Sequence, residues 1–135
     1  MSTTERCREG DKSGAVEAVA EHYSNTHRHL PRIVSWNTTF NCNLRCAHCY
    51  INGCEREGRK ELNTEEGKRT IDQIVEVSRP ILVLSGGEPL LRQDIYQLAE
   101  YGVKKGLRVV VGTNGTLMTD EVARRLKSVG VKRVG

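Results

Sequence analysis

From Arg32 onward, short apolar runs alternate with amphipathic stretches, and the two periods separate cleanly. Ile33-Val34-Ser35-Trp36 reads as a strand, Ile81–Leu84 as a strand of the buried type, Leu107–Val111 as a third and Val131–Val134 as the start of a fourth. Between them lie three stretches at helical spacing. The first opens at Asn63, with Glu66 three residues on as in a capping box, carries Ile71, Ile74, Val75 and Ser78 on one stripe, and stops at Pro80. Next come Ile95, Leu98, Ala99 and Gly102, closed by Gly106. Thr119 caps the last, with Val122, Leu126 and Val129 on its stripe and Gly130 at its end. Asn41 to Lys60, rich in cysteine, glycine and charge, reads as a loop.

The last three strands start about 25 residues apart, the length of one β/α unit, which points to an α/β fold with a parallel sheet and crossover helices. An open doubly wound sheet and an arc of a (β/α) barrel both fit. A closed eight-unit barrel takes about 250 residues. The chain stops in its fourth strand, so the expectation is the front part of a larger domain. Residues 1–31 read as a polar lead-in, with a short helix over 13–24 striped by Ala15, Val16, Val19, Ala20 and Tyr23; residues 32–135 form the core.

The composition excludes several classes. Of 135 residues, 37% are hydrophobic, enough for one packed core and little more. The longest aliphatic run, Ile81–Leu84, is far short of the roughly 20 residues of a membrane span. The first residues contain no apolar segment of the secretory kind, so a cytoplasmic location is expected. A net charge of +4, with one Phe, one Trp and four Tyr, gives little support for nucleic-acid binding. Lys104, Lys105, Arg124, Arg125 and Lys127 are accounted for as solvated helix faces.

The five cysteines carry more information. An odd number argues against a disulfide framework. Cys42, Cys46 and Cys49 form a C-x3-C-x2-C triplet in the loop after the first strand, where βα-loops build active sites. Three thiolates on one loop suit a cubic iron–sulfur cluster with one iron left open to chemistry. A zinc centre completed by Cys54 or His48 is the competing reading, but structural zinc favours two separated knuckles and only one triplet is present.

Two more polar turns follow strands. Ser85-Gly86-Gly87-Glu88-Pro89 pairs glycines, which let a ligand approach the backbone, with an acceptor-rich lip in which Glu88 joins the carbonyls to suit an ammonium group. Gly112-Thr113-Asn114-Gly115 ends the third strand. In a parallel sheet all three turns converge on one rim.

The combination CNLRCAHCY, SGGEP and TNG at successive strand ends resembles the radical S-adenosylmethionine (radical SAM) superfamily over about residues 32 to 135. That resemblance implies a partial (β/α) barrel, seen here to about its fourth strand, with a [4Fe–4S] cluster on Cys42, Cys46 and Cys49 and SAM chelating the fourth iron. It implies that Gly86, Gly87, Glu88 and Pro89 hold the SAM amino group, largely through backbone carbonyls, that His48 packs near adenine, and that Asn114 adds a further cofactor contact. The implied activity is that of an oxidoreductase. An electron from ferredoxin or flavodoxin cleaves SAM to methionine and a 5′-deoxyadenosyl radical, while the protein supplies orientation.

The style of PRIVSWNTTFNCNLRCAHCY resembles the subgroup that modifies tetrapyrrole side chains in haem and haem d1 synthesis, with peptide-modifying proteins as relatives. A different expectation is a non-catalytic cluster-binding or split-barrel subunit that needs a partner chain. Cys54 reads as a bystander, Cys7 as a free thiol, and His22, His27 and His29 lack the companions of a metal site. Tyr50 either lines a cavity or packs beside the loop.

Overall fold

A computed structural model of the chain describes residues 30–51 and 60–135. The expected helix over 13–24, and Cys7, Cys54, His22, His27 and His29, lie outside the described residues.

The elements run β1 (Ile33–Asn37), α1 (Thr64–Val77), β2 (Ile81–Ser85), a 3-10 turn (Pro89–Leu91), α2 (Ile95–Lys104), β3 (Arg108–Val111), α3 (Asp120–Ser128) and β4 (Arg133–Val134). The four strands make one parallel sheet in chain order. Trp36 pairs with Leu84 across β1 and β2, Leu82 with Val109 across β2 and β3, and Val111 with Val134 at the far edge.

Burial alternates along the strands, as a sheet with one densely covered face requires. Leu82, Leu84, Val109 and Val111 are buried, whereas Ile81, Val83 and Val110 are half-buried on the opposite face. The buried four join Ile71 of α1, Ile95, Leu98 and Ala99 of α2, and Leu126 of α3 in a single core. All three helices therefore contribute to the layer on one face. That is the arrangement of a barrel arc, and it decides against a doubly wound sheet, which would divide its helices between two faces.

Local chemistry explains where α1 and α3 begin. The Glu66 N–H donates to Asn63 Oδ1 at 2.9 Å and the Asn63 N–H donates to Glu66 Oε2 at 2.8 Å, a complete capping box. The Val122 N–H donates to Thr119 Oγ1 at 3.2 Å at the start of α3. The fourth strand departs from expectation. Only Arg133 and Val134 pair, while Val131 turns into the core, 6% exposed, beneath Leu126.

Candidate functional site

The rim is built by extending β1 and β2 beyond their last paired residues. Thr38, buried, donates both its N–H and its hydroxyl to the Ser85 carbonyl, at 2.8 and 2.9 Å. The Gly87 N–H donates to the Thr39 carbonyl at 2.8 Å, and the Glu88 N–H to the Asn41 carbonyl at 2.7 Å. The chain entering Cys42 is thus laced rung by rung to the turn after β2.

This lacing explains the paired glycines. A Cβ on Gly86, whose φ is +138°, would lie 2.4 Å from the Thr39 carbonyl oxygen; one on Gly87 would lie 2.2 Å from that of Asn41. Backbone that close cannot yield as a side chain can, so only glycine fits. The paired glycines thus have a packing role as well, set against the stem of the cysteine loop.

Glu88 lies between the turns after β2 and β3. Its side chain is wholly buried and serves the protein itself. Oε1 accepts the Leu90 N–H at 3.0 Å, Oε2 the Asn114 N–H at 2.8 Å, and the Thr113 hydroxyl sits 2.8 and 2.9 Å from the two oxygens. The carboxylate lies under the rim as the staple between the turns after β2 and β3. Pro89, buried beside it, opens the 3-10 turn.

The turn after β3 reaches back to the cysteine loop. Asn114 Nδ2 donates to Asn43 Oδ1 at 2.9 Å and to Cys42 Sγ at 3.7 Å, and Asn43 Nδ2 donates to Thr116 Oγ1 at 2.7 Å. Cys42 Sγ also accepts the Leu44 N–H at 3.4 Å. The Cys49 N–H donates to the Cys46 carbonyl at 3.1 Å, turning the loop between the second and third thiols. Tyr50, exposed, donates its hydroxyl to Asn37 Oδ1 at 3.0 Å and so ties the loop's exit to the end of β1. His48 is exposed on the loop.

Two supports of the loop escaped the sequence reading. Glu61 Oε1 accepts both the Thr39 hydroxyl and the Phe40 N–H at 2.8 Å. Arg92 donates through Nη1 to the Thr38 carbonyl at 2.5 Å and through Nη2 to the Leu62 carbonyl at 2.7 Å, while its Nε–H meets Asp94 at 2.6 Å. Thr64 donates to Asp94 at 2.6 Å. Burial pushes the Asp94 carboxyl up, but the bonds from Arg92 and Thr64 outweigh it and hold the group below the usual aspartate range. The visible signals were a Thr-Thr pair directly after a strand and an Arg-x-Asp just beyond Pro89.

The donor set fits an iron–sulfur cluster in its chemistry. Cys42, Cys46 and Cys49 lie on one loop, and Cys42 already receives two N–H donors of the kind that stabilise a cluster thiolate. Among the described residues no three His, Cys, Asp or Glu side chains are gathered as a metal-holding group, these cysteines included. The structure supplies a shared loop rather than a converged set of sulfurs.

Known proteins resemble this chain in sequence and in fold. The chain is 46% identical over 104 residues to an AdoMet-dependent heme synthase of Methanosarcina barkeri, covering 77% of this chain and 30% of that protein. It is 48% identical over 103 residues to an Fe-coproporphyrin III synthase of the same organism, covering 76% and 26%. The chain thus spans under a third of the length of these curated relatives. Among solved structures, BtrN in complex with AdoMet and 2-DOIA superposes with a TM-score of 0.70 at 19% identity, over 78% of this chain and 44% of that one, a likeness of fold alone. The family model described as the Radical SAM superfamily matches residues 36–135, the stretch that contains the end of β1, the strands β2 to β4, the cysteine loop and both turns laced to it, and the chain belongs to that superfamily.

Proposed function

We propose that Cys42, Cys46 and Cys49 hold a [4Fe–4S] cluster and that SAM binds beside it against the Gly86–Pro89 turn, in an enzyme that modifies a tetrapyrrole. One observation carries this reading: the C-x3-C-x2-C loop is hydrogen-bonded directly to the turns after β2 and β3. The similarity to a heme synthase and an Fe-coproporphyrin III synthase supports the substrate class.

When bound, the cluster and SAM supply the reductive carbon–sulfur cleavage. The chain's own residues orient the reactants. Backbone carbonyls of Gly86 and Gly87 accept from the SAM ammonium, and Glu88 serves by holding the turn rigid from beneath. His48 offers a ring for the adenine, and the Asn114 turn closes the third side. Residues 32–135 act as the N-terminal part of the catalytic domain, in a reducing cytoplasm, with ferredoxin or flavodoxin as electron donor.

Anaerobic reconstitution with iron and sulfide tests the reading. The expected result is a brown protein with about four irons per chain, and loss of colour in Cys46→Ala. Colourless protein holding stoichiometric zinc overturns it. Incubating the reduced, loaded protein with SAM then asks whether 5′-deoxyadenosine forms; cluster without turnover favours a cluster-binding subunit that requires a partner.

A further inference from the structure

We propose that Asn114 is a positioning residue for Cys42: its amide donates an N–H to the Cys42 sulfur, and Asn43 and Thr116 hold the amide in that orientation. The inference rests on the reading of Cys42 as a cluster ligand.

The hydrogen-bond partners fix which way the amide faces. The Thr116 backbone N–H can only donate, and it lies 3.0 Å from Asn114 Oδ1. That end of the amide is therefore the oxygen. The Thr116 hydroxyl lies 2.7 Å from the same oxygen and donates to it, so the hydroxyl's lone pair receives Asn43 Nδ2, also at 2.7 Å. Asn43 is oriented in turn, its Oδ1 facing Asn114 Nδ2 at 2.9 Å. The ring of three side chains has one consistent direction. The second proton on Asn114 Nδ2 is directed at Cys42 Sγ, 3.7 Å away.

The main chain is equally constrained, since the Asn114 N–H donates to the buried Glu88 carboxylate at 2.8 Å. Both oxygen lone pairs and both amide protons of the side chain are committed. This gives Asn114 a different task from the direct cofactor contact that the family resemblance implies. It also explains why a turn on β3 meets a loop more than 70 residues earlier in the chain.

An N–H aimed at a cysteine sulfur stabilises negative charge there, and a cluster gains negative charge on reduction. Losing the donor therefore makes reduction harder. The test is the midpoint potential of the reconstituted cluster, followed by electron paramagnetic resonance in a dithionite titration. Each variant is uncharged at the altered position, so net charge does not confound the shift.

Asn114→Ala is expected to move the potential to a more negative value with iron content unchanged. Thr116→Val, which touches no sulfur, should shift it in the same direction, and Thr116→Ser should restore the wild-type value. Asn43→Ala should behave as Thr116→Val does. Should Asn114→Ala fail to fold, the Thr116 pair and Asn43→Ala decide alone. A loaded wild-type protein whose potential is the same in all of these variants overturns the inference and leaves the cysteine reading intact. A wild-type chain that loads no cluster overturns both.

Discussion

Glu61 accepts the hydroxyl of Thr39 at 2.8 Å across 22 positions of sequence, and the same oxygen takes the Phe40 N–H. The two residues stand on opposite sides of the cysteine loop, so this carboxylate closes the loop at its base. A loop closed at its stem loses less entropy when its thiols converge, because its ends are already fixed.

Replacing Glu61 tests that role. Glu61→Ala removes the acceptor of the buried Thr39 hydroxyl, at a cost of about 1–3 kcal/mol. Glu61→Gln retains an amide oxygen and should lose much less. Amide exchange at Phe40 reports the local effect and thermal melting the global one. Equal exchange rates in Glu61→Ala and wild type would remove Glu61 from the account.

Gly87→Ala tests the backbone lacing. The added methyl would lie 2.2 Å from the Asn41 carbonyl oxygen and 2.7 Å from its carbon. Relief requires the Thr39–Asn41 segment to move off the turn after β2, at a cost of about 3 kcal/mol. The expected readout is a lower denaturation midpoint together with poor cluster loading. Gly115→Ala is the comparison. Its Cβ would meet nothing within 4 Å, so any loss there comes from the positive φ of +79° alone.

Elements were legible in the sequence where a local rule decides them. The Asn63–Glu66 cap, the Thr119 cap and the stripe Ile95, Leu98, Ala99, Gly102 each depend on residues within about two helical turns. What the rim residues face was not legible. Gly87 and Asn41 lie far apart in the chain, and no periodicity records that their backbones touch. Glu88 reads as part of an acceptor-rich lip, and nothing in the local pattern shows that Thr113, Asn114 and Leu90 bond its carboxylate. The spacing of Val131 and Val134 reads as a strand, but Val131 is buried before the strand begins, its N–H bonded to the Leu126 carbonyl.

Asp94 makes the fold sensitive to acid. Its folded-state pKa lies below the unfolded value of about 3.9. Its contribution is therefore fully present above the unfolded value and is lost as pH falls through the folded one. With side chains only 8% and 17% exposed, Arg92 and Asp94 form the pair where this linkage counts; the Asp72–Lys105 pair, also shifted down at the aspartate by its lysine, is far more exposed and screened. Asp94→Asn should lower stability by about 1 kcal/mol or more at neutral pH. The gap between variant and wild type should narrow below about pH 4. Melting curves across that range check it, and a constant gap would contradict the assignment.

Glu88 gives the sharpest contrast between a rim ligand and a buried staple. In Glu88→Gln the single amide oxygen can accept either the Leu90 N–H or the Asn114 N–H, while the amide nitrogen faces the other donor. One backbone N–H is left unpaired in a wholly buried site, costing about 1–3 kcal/mol. Glu88→Gln should thus destabilise the protein even in the absence of SAM, and exchange should quicken at Leu90 or Asn114. A carboxylate whose task was to meet the SAM ammonium would show the reverse: unchanged melting of the free protein and weakened SAM binding by calorimetry. The two outcomes separate because the staple acts before any ligand arrives.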